Sequence, residues 1–327
     1  MNTVGVDVDS LYLVCRIQRG ENKEPITQFD NNPSGFKKFI KWCTKHQKKA
    51  RVTMEATGVY SLPFALALHQ EKCIEVDVVN PRAIKNFTLA QMQRGKTDAL
   101  DADAILEYNL RMSFSSWKPP REEVLELKHI TRRIVQLNVE LTRERNRHKA
   151  ASRLGTIGRV VAHDTDLNMR HLKRRIIAME QAALDLVNDD TKLKERYDLL
   201  TTVTGIADKT APRILAELSN LPNDMLAAQW VAHAGLDPKP HESGKSTHKP
   251  RRISKAGNRY LREVLFFPAM VAYRHDPNVK AFYEMMINKG KKPLQAIVAI
   301  MRKLLLCIWG MFKHNTPWDG NKFYKMT

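Results

Sequence analysis

Apolar and polar residues alternate near the start of the chain, so that Val4, Val6 and Val8 share one face of an extended segment and Asp7 lies on the other. The same reading gives strands at Thr3 to Val8, Leu11 to Ile17, Ile26 to Phe29, Arg51 to Glu55 and Ile74 to Val79, the first two joined as a hairpin at Asp9-Ser10. Between the later strands the period becomes helical. Phe36, Phe39, Ile40 and Cys43 recur at i, i+3, i+4 and i+7 behind Pro33-Ser34, and Tyr60 to Gln70 reads as a second, mostly apolar helix. Thr97 is placed to cap a third helix that opens with Asp98.

After Lys118-Pro119-Pro120 the pattern changes. Leu127, Ile130, Ile134, Leu137 and Leu141 step by 3 and 4, as do Met169, Leu172, Ile176, Met179, Ala183 and Leu186. These predict two heptad helices, either a hairpin within one chain, a seam between two chains, or plain amphipathic helices of a bundle. The stretch Arg143 to Lys149 is a solvated face or a phosphate-contacting strip. A third region starts near Lys192. Val203 to Ala211, with Gly205 and Lys209, resembles a helix-hairpin-helix turn, whose glycine lets backbone N–H groups approach a phosphate. A polar loop from Pro238 to Lys255 follows, then helices from Asn258 onward and from Pro293 to Phe312. The expected organisation is an α/β domain at 1–118, a coiled-coil region at 119–191 and a mainly helical domain at 192–327. Three strands followed by alternating helix and strand is the order of the RNase H-like fold, in which an Asp on the first strand faces a carboxylate on the fourth.

Charge narrows the function. The 327 residues carry 54 Lys and Arg against 35 Asp and Glu, a net charge of +19, which attracts polyanions and predicts salt-sensitive binding of nucleic acid. A membrane partner is disfavoured: the strongest apolar run, Ile297 to Met311, is interrupted by Arg302-Lys303 and falls short of the roughly 20 residues of a spanning helix. A strand within the first few residues argues against a signal peptide, and Cys15, Cys43, Cys73 and Cys307 lack metal-ligand spacing, so a cytoplasmic setting is expected.

Against this basic background, four carboxylates stand out. Asp7 lies on the first strand, Glu55 ends the run Arg51 to Glu55, and the i, i+3 spacing of Asp98 and Asp101 puts both on one helical face. Hard oxygen ligands of this kind suit Mg²⁺ or Mn²⁺, and two such ions can clamp the attacking and leaving oxygens of a phosphodiester. Asp9 approaches the turn, and Asp103 is about 200° around the helix from Asp101, so both rank second. The expected nucleic-acid contacts are Lys209 at the hairpin turn and Lys245, Arg251, Arg252 and Lys255 in the polar loop. By composition alone Ser243 is a loop serine.

Taken together, Gly5-Val6-Asp7, Met54-Glu55-Ala56-Thr57-Gly58, Val79-Asn80-Pro81, Lys96 to Ala102, Gly205-Ile206, Ala234-Gly235-Leu236, Glu242-Ser243-Gly244, Ile253 to Gly257 and Met301 to Leu304 resemble, in order and spacing, the DEDD transposases of the IS110 family of insertion sequences. That resemblance implies a RuvC-like N-terminal domain supplying the four carboxylates, a coiled coil, and a C-terminal transposase domain supplying a serine. It implies that Ser243 attacks the phosphorus to form a covalent phosphoserine–DNA link. The implied partners are donor and target DNA, a guide (bridge) RNA and further copies of the chain in a homodimer or homotetramer. The same residues admit two other classes: a metal-dependent junction nuclease using water, and a non-enzymatic nucleic-acid-binding scaffold.

Overall fold

The computed structural model describes residues 1–45, 49–92, 95, 97–222, 224–239 and 252–326, together with the strands at 242–243 and 247–248. The chain forms two compact units, Met1–Pro119 and Pro120–Thr327.

In the first unit the strands are β1 (Asn2–Val8), β2 (Tyr12–Arg19), β3 (Asn22–Lys23), β4 (Thr27–Asp30), β5 (Ala50–Glu55) and β6 (Ile74–Val79). They make one sheet in the order β3-β2-β1-β5-β6, with β4 also paired to β2. The pair β1/β2 is antiparallel, turning at Asp9-Ser10 as the sequence predicts, whereas β1/β5 and β5/β6 are parallel. Helices α1 (Pro33–Cys43), α2 (Leu62–His69), α3 (Pro81–Ala90) and α4 (Asp98–Arg111) complete the unit. The side chains Val4, Val6 and Val8 are buried in a core with Phe36, Phe39 and Phe64 from α1 and α2. Helix α4 covers the other face, packing on β1, β2 and β5.

Among the described residues the second unit is helical, apart from four two-residue strands. Helices α5 (Glu122–Ser152) and α6 (Arg159–Asp189) are the two heptad segments. They pair antiparallel within the chain through Leu137, Leu141, Leu172 and Ile176, flanked by Met169 and Met179. Nearer their other ends, Val124 and Leu127 join Ala183 and Val187 in the unit's main core. Helices α7 (Thr191–Thr201), α8 (Ala211–Leu218) and α9 (Ala227–Ala234) follow, then strands β7 (Pro238–Lys239), β8 (Glu242–Ser243), β9 (Thr247–His248) and β10 (Arg252–Ile253). Helices α10 (Arg259–His275), α11 (Pro277–Asn288), α12 (Pro293–His314) and α13 (Gly320–Phe323) close the chain. Helix α12 is longer than the apolar run read from the sequence and, by length and composition, could cross a membrane. Here Ile300, Leu304, Leu305 and Ile308 sink into the main core, and α12 packs against α9, α10 and α11.

Candidate active site

The acidic site forms where three elements end or begin. In the parallel pair of β1 and β5, Val6 faces Met54, so Asp7 and Glu55 stand one step further on, at the carboxyl ends of adjacent strands. Asp98 and Asp101 occupy the first turn of α4, which Thr97 caps by accepting a hydrogen bond from the Leu100 N–H at 3.2 Å. A helix N-terminus favours negative charge, which partly offsets the crowding of two carboxylates there.

Two residues to which the sequence reading gave no role set the position of α4. Gly5 lies two residues before Asp7 on the same strand face, and a Cβ there would stand 2.2 Å from the Leu106 nitrogen and 2.6 Å from the Ala102 oxygen. The helix backbone therefore rests directly on β1, an approach that no larger residue permits. Two turns along α4, the Asn109 side chain donates to the carbonyls of Val4 and Arg51, at 3.2 and 3.3 Å, binding the helix to both β1 and β5. The available signal was a glycine inside a strand, which marks close backbone approach. Asn109 gave none, being one polar residue in an amphipathic helix.

The other three carboxylates act electrostatically on Asp7. Asp7 is half-buried, and its pKa is pushed up from 3.8 to about 6, first by burial and then by the charges of Asp101, Asp98 and Glu55; only the Val8 N–H, donating to it, works the other way. Among the described residues, every charge that shifts Asp7 is a carboxylate. Yet no group of three or more His, Cys, Asp or Glu among them is drawn close enough to hold an ion. The arrangement is an open acidic cluster, not a closed coordination shell. By donor type and by the repulsion that raises Asp7 it suits a hard divalent cation, which would remove that repulsion.

Glu55 and Asp101 open into a cleft of about 450 Å³ whose other wall is α3, with Arg82 and Lys85. Helix α3 starts at Asn80-Pro81, where the Asn80 side chain accepts from the Arg82 N–H at 2.9 Å. The motif Val79-Asn80-Pro81 thus fixes the helix that lines the cleft. The secondary acids have other roles. Asp9 caps its turn by accepting from Ser10 Oγ and the Leu11 N–H, and Asp103 pairs with Arg16 at 3.1 Å and with Lys23 at 3.9 Å.

In the second unit the predicted hairpin turn lies between α7 and α8. Gly205 has φ of +94°, and a Cβ there would meet the Pro268 oxygen of α10 at 2.8 Å, so the turn packs closely on α10. Lys209 pairs with Glu180 of α6 at 2.9 Å. Arg252 and Lys255 are exposed, and Lys255 holds the left-handed φ of +53°. Lys245 and Arg251 lie outside the described residues. The backbone of Ser243 pairs with Thr247 in β8/β9, while its side chain is outside the description.

The segment that carries Ser243 leaves and re-enters the unit through a backbone knot. β7 and β10 pair Lys239 with Arg252 and Pro238 with Ile253. Below them a Cβ on Gly257 would stand 2.0 Å from the His233 oxygen, and one on Gly235 2.7 Å from the Gly257 nitrogen. Arg262 Nη1 donates to the carbonyls of Ala234 and Gly257, at 2.8 and 3.0 Å. Two sequence motifs far apart in the chain, Ala234-Gly235-Leu236 and Ile253 to Gly257, are therefore the two sides of one contact. Ser254 belongs to it, its hydroxyl donating to Asp237 at 2.6 Å.

Known proteins resemble this chain along most of its length. Residues 4–152 match the DEDD transposase family model, described as "Transposase", and residues 197–284 match "Transposase IS116/IS110/IS902 family". The pilin gene-inverting protein of Moraxella bovis is 32% identical over 97% of this chain and 97% of its own. That of Moraxella lacunata is 32% identical over 89% of each. The 43.6 kDa protein of insertion element IS110 from Streptomyces coelicolor is 27% identical over 37% of this chain and 30% of its own. Identity of about a third along nearly the full length of two chains is more than a shared motif, and with both family matches in chain order it establishes that this protein belongs to the IS110 family of DEDD transposases, enzymes that act on DNA.

Proposed function

We propose that this transposase cuts and rejoins DNA strands with Asp7, Glu55, Asp98 and Asp101 as ligands of Mg²⁺, replaceable by Mn²⁺, and with Ser243 as the nucleophile. Family membership implies dependence on a divalent metal in general. The observation that supports this site is the rise of Asp7 to about 6 under the charges of the other three carboxylates, at the shared end of β1, β5 and α4. The sheet order, with β2 antiparallel and β5 and β6 parallel to β1, supports an RNase H-like reading of the first unit. The heptad seam of α5 and α6 supports a coiled-coil reading of that hairpin.

Bound metal supplies Lewis-acid polarisation of the scissile phosphate. The rest falls to the chain. Asp7, whose ionised form the neighbouring carboxylates disfavour, would be a metal ligand in that ionised form, and Gly5 and Asn109 keep Asp98 and Asp101 in place over the strand ends. Arg82 and Lys85 on the cleft wall attract the sugar-phosphate backbone. The Ser243 oxygen forms a bond to phosphorus as the bond from phosphorus to one deoxyribose oxygen breaks, and the serine proton passes to solvent as the leaving oxygen gains one. Attack by a new deoxyribose hydroxyl then reverses these changes and frees the serine. Two relatives are named for inverting a gene. Inversion requires every cut strand to be rejoined, and a covalent link that retains the phosphodiester energy serves that need. Lys209, Lys245, Arg251, Arg252 and Lys255 supply phosphate contacts, a guide RNA selects the sites, and the active form is a homodimer or homotetramer.

The deciding experiment is to denature the protein in detergent after reaction with a substrate that stalls following first-strand cleavage. Wild type should retain DNA, with the link mapping to Ser243 and not to Ser246 or Ser254. Ser243→Ala should bind DNA and lose both cleavage and the adduct. Normal cleavage by Ser243→Ala would mean that water is the attacking group and that the chain is a metal-dependent nuclease.

A further inference from the structure

Two adjoining clefts in the second unit share Arg196 and Phe312. One, of about 450 Å³, lies along α7 and is also lined by Arg121, Lys192 and Ser219; the other, of about 320 Å³, runs between α9 and α12 and is lined by Trp230, Trp309 and Lys313. Both volumes fall in the range of roughly 300–1,000 Å³ typical of ligand clefts.

Arg196 is the informative residue. It is half-buried, and burial together with the neighbouring Arg121 guanidinium presses against its positive charge. Arg121 is neutralised by Asp190 at 2.8 Å, but among the described residues neither Arg196, Lys192 nor Lys313 has a carboxylate within ion-pair distance. Glu195, on the rim of the first cleft, is exposed and pairs with none of them. A partly desolvated guanidinium without a counter-ion is costly, and an anion would relieve it. The neighbouring groups are aromatic: the Arg196 guanidinium lies 5.2 Å from the Phe312 ring centre, Lys313 Nζ lies 4.6 Å from that of Trp309, and Trp230 meets Phe312 edge-on at 6.1 Å. Ser219 Oγ and Trp230 Nε1, one in each cleft, are buried and have no hydrogen-bond partner. A simple anion would use the cations and leave the rings idle. A nucleotide uses both, with phosphate on the guanidinium and base on the aromatic faces.

We propose that this double cleft binds one or two nucleotides of single-stranded nucleic acid, with a backbone phosphate on Arg196, aided by Lys192, and a base against Trp309 and Phe312. The site is independent of Ser243 and of the four carboxylates, so it stands or falls apart from the strand-transfer reading. Single strands arise whenever DNA is opened for exchange, and guide RNA presents them too; the chemistry of recognition is common to both.

The test uses the full chain with labelled oligo-dT and oligo-U of about eight nucleotides, within the span such grooves hold, each carrying one photoreactive 5-bromouracil. Crosslinks should fall on the peptide Leu304 to Lys313. Arg196→Gln should weaken single-strand binding about tenfold and lower the salt slope by roughly 0.7 for the lost phosphate contact. The exposed pair Lys192→Ala with Lys313→Ala should weaken it in the same direction, which guards against a folding defect at Arg196. Crosslinking by only one oligomer identifies the strand, and crosslinking by both supports the shared chemistry. The proposal is overturned if the variants bind as wild type does, if they lose duplex binding by the same factor, if crosslinks fall elsewhere, or if an oligomer of abasic sites binds as tightly as its parent.

Discussion

Replacing Gly5 with alanine tests the geometry of the acidic site without touching an acid. The added Cβ would stand 2.2 Å from the Leu106 nitrogen, where ordinary contact begins near 3.4 Å, so helix and strand must separate by about 3.4 − 2.2 = 1.2 Å. Backbone atoms on both sides oppose that shift, and the Asn109 hydrogen bonds to Val4 and Arg51 stretch with it. Overpacking of this kind costs about 1–3 kcal/mol, which in a unit of this size lowers the melting temperature by several degrees. Activity should suffer more. Asp98 and Asp101 ride on α4 while Asp7 and Glu55 stay on the sheet, and a misplacement of about 1 Å costs on the order of 100-fold in rate. Thermal melts, Mn²⁺ titration and first-strand cleavage by the same preparation would measure all three effects. Wild-type stability together with wild-type cleavage in Gly5→Ala would refute the claim that α4 rests on β1. A folded variant with weakened metal binding and slow cleavage is the expected result.

Other outcomes follow from the remaining contacts. In metal-free protein Asp7 titrates near 6 and not at its ordinary 3.8, so its ionised form weakens the fold: stability should rise as pH falls from 7 through 6 towards 4, and Asp7→Asn should remove that gain in melts across this window. Divalent ion should remove it too, by favouring the ionised form. Asp103→Ala, which breaks partly exposed ion pairs to Arg16 and Lys23, should cost no more than about 1 kcal/mol and leave cleavage intact; loss of cleavage would put Asp103 back among the ligands. Gly257→Ala, whose Cβ would strike the His233 oxygen, should lower the melting temperature and abolish strand transfer while metal binding by the first unit persists, as Mn²⁺ titration would show. Lys245→Ala with Arg251→Ala should weaken DNA binding and flatten its salt dependence without a change in melting temperature.

Much of the fold was readable because the hydrophobic pattern carries it. The five predicted strands appear within two residues of their expected ends, Thr97 caps α4, and the two heptad runs become α5 and α6. What escaped depends on backbone meeting backbone, which leaves almost no mark on side-chain chemistry. Gly5 is one letter in an alternating strand, and only the path of α4 shows that its missing side chain matters. Gly205 has a packing role that its sequence setting did not announce, since the atom close to its missing side chain is the Pro268 oxygen. The heptads left open whether the seam joins one chain or two, because periodicity specifies a partner surface and not its owner; pairing within the chain follows from the short link between Ser152 and Arg159. The cleft at Arg196 was invisible for the same reason, since α7, α9 and α12 contribute its lining from distant parts of the sequence.

The knot at Gly235 and Gly257 bears on how such enzymes diversify. It fastens the two ends of the segment between Lys239 and Arg252 by main-chain hydrogen bonds and by Arg262, using atoms that no substitution inside the segment can alter. Lengthening a segment whose ends are already held costs only about 0.6 kcal/mol per doubling. Natural variation, or an engineer, can therefore change the length and sequence of the segment on either side of Ser243 while the anchors and the helices beneath them keep their sequence.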